Sequence, residues 1–127
     1  MLTVDIDSNS GFCAGVIKAI SKAEDFLKSG RRLYSLGAIV HNDAELNRLV
    51  EQGLVTIDKE DLDEMVDARG EVLLIRAHGE PPQTYEKADS IGFEIIDCTC
   101  PVVLKLQQRI KEAYARHLET GRGQIVI

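Results

Sequence analysis

The sequence predicts an α/β fold with a mostly parallel sheet and helices on both of its faces. Short apolar runs alternate with amphipathic segments along the 127 residues, and this order is typical of strands joined by helical crossovers. The run at 72–75, Val-Leu-Leu-Ile, is the most apolar of the chain. We expect it to be a central strand that is buried on both faces.

The other elements are predicted from periodicity and from glycine and proline positions. Strands are expected at 2–6, 33–36, 54–57, 93–97 and 124–127. The strand at 93–97 is expected to be short and buried. Helices are expected at 14–29, from 42 or 43 up to Gly53, from the two prolines at 81–82 up to Gly92, and from 101 to about 119. In the second helix we expect Leu46, Leu49 and Val50 to face inward. The acidic segment 58–67 is expected to be a solvated, weakly helical turn.

Composition excludes several classes of function. A formal charge of −6 argues against a general nucleic-acid surface. No apolar run approaches the roughly 20 residues that span a bilayer, and the N-terminus lacks the features of a signal peptide. We therefore expect a cytoplasmic protein without a membrane segment. The chain has three cysteines, and in that compartment we do not expect them to form a framework of structural disulfides.

Two cysteines occupy equivalent places before predicted helices. Cys100 precedes Pro101 and so falls at the expected N-cap, where the helix dipole favours thiolate over thiol. Cys13 follows the first predicted strand and opens the helix at 14–29. Ligands bind at this edge of open α/β sheets. Both thiols are candidate metal ligands, although a lone cysteine such as Cys13 also suits a small buried site. The helix-cap position favours Cys100 as the ligand and Cys98 as a packing residue.

Two histidines also follow predicted strands. His41 comes after the strand at 33–36 and its loop, and His78 comes after the strand at 72–75. Both should therefore lie on the edge that presents the thiols, where histidine binds phosphate, a hydroxyl group or a metal. The alternative for each is a loop histidine bonded to backbone. His117, late in the last helix, is expected at the surface.

Four short motifs carry a resemblance to a known family. They are Gly-Phe-Cys-Ala-Gly-Val at 11–16, Val-His-Asn at 40–42, Ala-His-Gly at 77–79 and Asp-Cys-Thr-Cys-Pro at 97–101. In this order they resemble the N-terminal part of the LytB/IspH family of 4-hydroxy-3-methylbut-2-enyl diphosphate reductases. The resemblance implies the last step of the non-mevalonate isoprenoid pathway. There an allylic diphosphate is reduced to isopentenyl and dimethylallyl diphosphate, with a ferredoxin or flavodoxin as electron donor.

The resemblance also implies roles for particular residues. Cys13 and Cys100 match two of three cysteine ligands of a [4Fe-4S] iron–sulfur cluster. Cys98 stands where the family usually has alanine, which leaves its role open. His41 and His78 match histidines that hold the substrate diphosphate.

The family fold implies a division of this chain. Three similar α/β domains surround the cluster, so that 1–100 is the first domain and 101–127 is the opening helix and strand of a truncated second domain. The strand at 2–7 would belong to the third domain of the parent protein. Without the third cysteine and the proton-delivering glutamate, this fragment is expected to be inactive and to self-associate. The alternative function is a non-catalytic zinc-binding module that uses Cys13, Cys98 and Cys100.

Overall fold

The structure is a computed structural model, and it describes residues 1–126. The elements along the chain are α1 Ala14–Leu27, β1 Leu33–Leu36, α2 Asp43–Glu51, β2 Leu54–Ile57, α3 Lys59–Glu64, β3 Val72–Ile75, α4 Pro82–Ile91, β4 Glu94–Asp97 and α5 Pro101–Thr120. Ile127, the last residue of the predicted strand at 124–127, lies outside the described residues.

The four strands form one parallel sheet in the order β2-β1-β3-β4. The chain moves outward from β1 to β2, then returns to place β3 on the other side of β1. This reversal makes the gap between the carboxyl ends of β1 and β3 a topological switch point, where open α/β sheets bind their ligands. The predicted α/β class with a parallel sheet is confirmed.

Helices cover both faces of the sheet, as predicted, with two helices on each face. On one face, α1 and α2 pack on a cluster that includes Leu33, Val72 and Leu74. On the other face, α3 and α4 pack on a cluster that includes Leu73 and Ile75. Because side chains alternate along a strand, β3 contributes to both clusters and is buried along its whole length.

Local sequence signals set several helix boundaries. The Asn42 side chain accepts a hydrogen bond from the Glu45 amide at 3.0 Å and caps α2. Pro82 stands in the first turn of α4, and Gly92 ends that helix with φ at 101°. These predicted ends are confirmed.

The prediction of a strand at 2–6 is wrong for this chain. Residues 1–7 belong to no strand, and Leu2, Val4 and Ile6 are exposed. An alternating run forms a strand only where a neighbouring strand satisfies its backbone groups, and none lies beside it among residues 1–126. Residues 124–126 likewise form no strand.

Three smaller expectations also change. The strand β4 is an edge strand with half-buried Ile95 and Ile96, where a buried strand was predicted. In the acidic segment, α3 is a formed helix because Asp58 and Asp61 cap each other reciprocally at 2.8 and 3.0 Å. Val50 is exposed although it was expected to face inward.

The helix α5 contains no buried residue, although it carries several large apolar side chains. Val102, Leu104 and Leu106 are among those exposed. None of the helices among residues 1–126 is both long and apolar enough to cross a membrane. The domain division at residue 100 stays a prediction.

We predict that the sheet interior dominates the stability of the chain. Leu74→Ala removes a side chain with 0% exposure and should lower the free energy of unfolding by about 2–5 kcal/mol. Val66 is exposed, so Val66→Ala should change it by less than about 0.5 kcal/mol. Urea unfolding followed by circular dichroism measures both variants, and equal effects would contradict this assignment of the core.

We also predict that the isolated chain self-associates through the side of α5 that carries the exposed Val102 and Leu106, because burial of this apolar surface is favourable. Light scattering at micromolar concentration should show a mass above that of the monomer. Leu106→Glu should reduce the association. Ala115→Glu adds the same charge nine residues later, on the opposite side of the helix, and should not. A monomeric wild-type chain would contradict the prediction.

Candidate functional site

The candidate site residues lie at the carboxyl edge of the sheet. His41 follows β1 and His78 follows β3, so the two histidines flank the switch point. Cys13 and Cys100 are the N-cap residues of α1 and α5. In a parallel sheet with helical crossovers, these helices begin at the edge where the strands end.

The structure brings the two histidines together. Their ring centroids are 6.4 Å apart and the ring planes differ by 19°, so that the imidazoles stack with a gap between them. Both side chains are exposed. His41 directly precedes Asn42, the N-cap of the nine-residue helix α2. Imidazole N–H groups and the free amides of a helix N-terminus are both donors to anions.

The turn that carries His78 depends on a glycine. The Gly79 amide donates to the Arg76 carbonyl at 3.0 Å, and Gly79 has φ at 74°, a conformation that side chains rarely adopt. A β-carbon at this position would lie 3.1 Å from Thr99 Cγ2. Gly79 therefore allows the His78 turn to lie against the segment that leads to Cys100.

Cys100 lies directly against the start of α1. A β-carbon added to Gly15 would lie 2.9 Å from the Cys100 β-carbon and 3.0 Å from its Sγ. The Cys100 amide donates to the Ala77 carbonyl at 2.9 Å. Cys13 is exposed, and its side chain makes no capping hydrogen bond. Cys100 thus approaches the first turn of α1 at the point where Gly15 lacks a side chain.

Cys98 differs from Cys100 in burial, because Cys98 is buried and Cys100 is only half-buried. Its amide donates to the Ile75 carbonyl at 2.8 Å, which extends the pairing of β3 and β4 by one residue. Its side chain is 7% exposed and belongs to the core cluster beneath α1. Burial raises the pKa of the Cys98 thiol, although Lys22 and Lys18 partly oppose this shift. The predicted packing role of Cys98 is confirmed.

A hydrogen-bonded network fixes the turn between these cysteines, and the sequence did not reveal it. The Thr99 hydroxyl and amide both donate to Asp97 Oδ1, at 2.5 and 2.9 Å. The Tyr85 hydroxyl donates to Asp97 Oδ2 at 3.1 Å. Burial is the largest cause that raises the pKa of Tyr85, with smaller effects from Asp97. The Asp-x-Thr spacing is a known local turn pattern, but the partner Tyr85 lies 12 residues away.

A cleft of about 950 Å³ is lined by His78. It runs between the start of α4 and α5 and includes the carboxylates of Glu80, Glu86 and Asp97. Neither Cys13, Cys100 nor His41 lines it. Although His78 lines this cleft, the acidic character of the cleft does not suit a diphosphate.

The thiols of this chain do not form a complete metal site. Residues 1–126 contain no group of three or more His, Cys, Asp or Glu side chains arranged to hold a metal ion. A zinc module built from all three cysteines would need Cys98, which is turned into the core. Cys13 and Cys100 fit a partial ligand set for an iron–sulfur cluster, which is bound through thiolates. Further ligands would have to come from outside these residues.

His117 lies apart from the site. It is 17 residues along α5 from Cys100, or about 26 Å at the helical rise. Its Nδ1 lies 3.2 Å from the carbonyl oxygen of Arg122.

Comparison with known proteins shows relatives over the whole chain. The 4-hydroxy-3-methylbut-2-enyl diphosphate reductase of Bacteroides fragilis is 52% identical over 127 residues, which is 100% of this chain and 42% of that protein. The chain therefore spans less than half the length of this curated relative.

Two solved structures share the fold. The E-1-hydroxy-2-methyl-but-2-enyl-4-diphosphate reductase from Plasmodium falciparum matches with a TM-score of 0.75 and 34% identity, over 87% of this chain and 34% of that one. A structure of (E)-4-hydroxy-3-methyl-but-2-enyl diphosphate reductase, described as the terminal enzyme of the non-mevalonate pathway, matches with a TM-score of 0.67 and 35% identity. That match covers 95% of this chain and 40% of that one.

The sequence model of the family described as LytB protein matches residues 4–125. This range contains both stacked histidines and both N-cap cysteines. The chain belongs to the LytB protein family.

Proposed function

We propose that this chain is part of a 4-hydroxy-3-methylbut-2-enyl diphosphate reductase and supplies part of a substrate site together with part of a cluster site. The stacked pair His41–His78 at the switch point carries the proposal, because it lies on the same sheet edge as Cys13 and Cys100. The family relationship and the names of the relatives support the reaction class.

The histidine pair suits the diphosphate group of the substrate. Two parallel imidazoles with centroids 6.4 Å apart present N–H donors from two different loops. Hydrogen bonds from such donors to a phosphate are charge-assisted and stronger than neutral ones. The N-terminus of α2, next to His41, adds backbone amides of the same polarity. Together these groups would bind and orient the anionic end of the substrate.

Cys13 and Cys100 suit two ligands of the [4Fe-4S] cluster that the family resemblance implies. When bound, this cluster would supply the electrons for the reduction. Both thiols lie at helix N-termini, and iron–sulfur clusters are held by cysteine thiolates. Gly15 keeps the space beside Cys100 free of a side chain. Cys98, held in the core, would not bind the cluster.

The overall reaction takes up two electrons and two protons. The allylic C–O bond breaks, the oxygen leaves as water and the carbon skeleton gains one hydrogen, which yields isopentenyl or dimethylallyl diphosphate. A ferredoxin or flavodoxin would deliver the electrons, and the cytoplasm is the compartment we propose. Since two cysteines do not complete the ligand set, we propose that the chain alone has no reductase activity.

The thiol assignment is tested in the full-length protein that contains this chain. Anaerobic reconstitution with iron and sulfide should give a visible absorption band that zinc alone does not give. Cys13→Ser and Cys100→Ser should each lose most of this band and nearly all turnover, since each removes a ligand.

Cys98→Ala is the matched control, because it removes a thiol from the same turn. It should leave the absorption band almost unchanged. If Cys98→Ala loses the band while Cys100→Ser keeps it, the ligand assignment is reversed.

The histidine assignment predicts a loss of substrate affinity without a change in the cluster. His41→Ala or His78→Ala each removes a charge-assisted hydrogen bond that contributes roughly 1.5–3 kcal/mol. The dissociation constant for the allylic diphosphate should therefore rise by one to two orders of magnitude. His117→Ala, remote from the site, should have no effect. Unchanged binding in both site variants would remove the histidines from the substrate site.

A further inference from the structure

We infer that Arg76 is a positioning residue that sets the distance between His41 and His78. This inference rests on the proposed function for the meaning of the pair, but the geometry stands by itself. Arg76 lies at the end of β3, two residues before His78. Its side chain crosses to the neighbouring loop, which leads from β1 to His41. One residue thus contacts both histidine-bearing loops.

The contact with the β1 loop is close. A β-carbon added to Gly37 would lie 2.7 Å from one terminal guanidinium nitrogen of Arg76 and 2.8 Å from Cζ. Gly37 itself is held firmly, because its amide donates to the Ile57 carbonyl at 2.8 Å and its carbonyl accepts from the Ser35 hydroxyl at 2.7 Å. The guanidinium therefore rests on a fixed piece of backbone four residues before His41.

Arg76 also faces Glu80, which lies two residues after His78. We call the Arg76 side chain, with its contacts to Gly37 and Glu80, the brace. The Glu80 side chain is 5% exposed, and its carboxylate lies 3.9 Å from Arg76 and 3.4 Å from Lys59 Nζ. Arg76 and Glu80 thus enclose the His78 turn from both sides. That turn is closed by the bond from the Gly79 amide to the Arg76 carbonyl.

The energetics of the pair favour a role in geometry over one in stability. The Arg76 side chain is 28% exposed, and its Nε is buried without a hydrogen-bond partner among residues 1–126. Buried ion pairs often contribute little net stability, and an unsatisfied buried donor is a cost. A flat guanidinium nevertheless fills the narrow space against Gly37, which a flexible ammonium group does not fill in the same way.

The first test measures the histidine pair directly in this chain. The chain has three histidines, so their ring signals in ¹³C–¹H spectra are assigned by single substitutions. In the wild type, His78→Ala should shift the His41 ring signals, and His41→Ala should shift those of His78, because the rings stack. In an Arg76→Gln background this reciprocal shift should disappear, while circular dichroism stays unchanged. Persistence of the reciprocal shift would overturn the inference.

Matched controls separate the contact from general effects. Gly37→Ala places a methyl group against the guanidinium and should act like Arg76→Gln. Gly30→Ala imposes a similar backbone strain, with φ at 78° against 74°, but its β-carbon meets nothing within 4 Å, so the ring coupling should survive. Arg32→Gln removes another ion-paired arginine, bonded to Glu71 at 2.8 Å, and should also leave it intact.

The variant Glu80→Gln is nearly isosteric with the wild type, so it provides a test of the inference even if the other variants fail to fold. It removes the charge that holds the guanidinium and should weaken the reciprocal shift. A folded Glu80→Gln with an unaltered shift would count against the brace.

A second measurement separates this inference from the proposed function. In the full-length enzyme, Arg76→Gln should raise KM for the allylic diphosphate by about tenfold, with kcat and the cluster absorption almost unchanged. If the ring coupling depends on Arg76 but inorganic diphosphate does not bind, the proposed function fails and the brace stands. If diphosphate binding requires both histidines but the ring coupling ignores Arg76, the brace is wrong and the function stands.

Discussion

The carboxyl edge of this sheet depends on close approach between neighbouring segments at positions without a side chain. Three glycines each lie closest to one residue of a segment that is a neighbour in space: Gly15 to Cys100, Gly37 to Arg76 and Gly79 to Thr99. A β-carbon at any of the three would meet its neighbour at 3.1 Å or less, a separation that forces something to move. These contacts connect the start of α1, the two histidine loops and the start of α5 into one continuous edge.

This arrangement separates the site from the core. The sheet faces are filled by aliphatic side chains, and β3 supplies both faces. The site groups come from the loops and helix caps just beyond the strand ends, and they belong to neither aliphatic cluster. The Tyr85–Asp97–Thr99 network is the exception, since it joins a helix, a strand end and the cysteine turn.

The contrast between Cys98 and Cys100 illustrates how one turn produces two environments. Backbone pairing with β3 continues to Cys98, so its side chain follows the alternation of the strand into the core. Pro101 then starts α5, and Cys100 becomes the N-cap beside Gly15. Two thiols separated by one residue thus differ in burial, and only the second lies at a helix N-terminus. Sequence reasoning reached this distinction because it depends on local signals alone.

The sequence by itself determined the elements of the sheet and their class. Periodicity, Asn42, Pro82 and Gly92 are local signals, and the elements they predicted are present. The prediction of a strand at 2–6 was wrong because alternation shows only that a strand is possible, whereas its formation depends on a neighbouring strand. The prediction that Val50 faces inward was wrong for a related reason. Periodicity does not define how wide the buried side of a short helix is.

Only the tertiary structure decided which loops are neighbours. The order β2-β1-β3-β4 places the β1 and β3 ends side by side, and no local signal encodes this order. His41 and His78 were predicted at one edge, but their stacking required that adjacency. The contact of Arg76 with Gly37 joins residues far apart in the chain and depends on a space of atomic size. Such contacts are set by packing between elements, which residue spacing along the sequence does not specify.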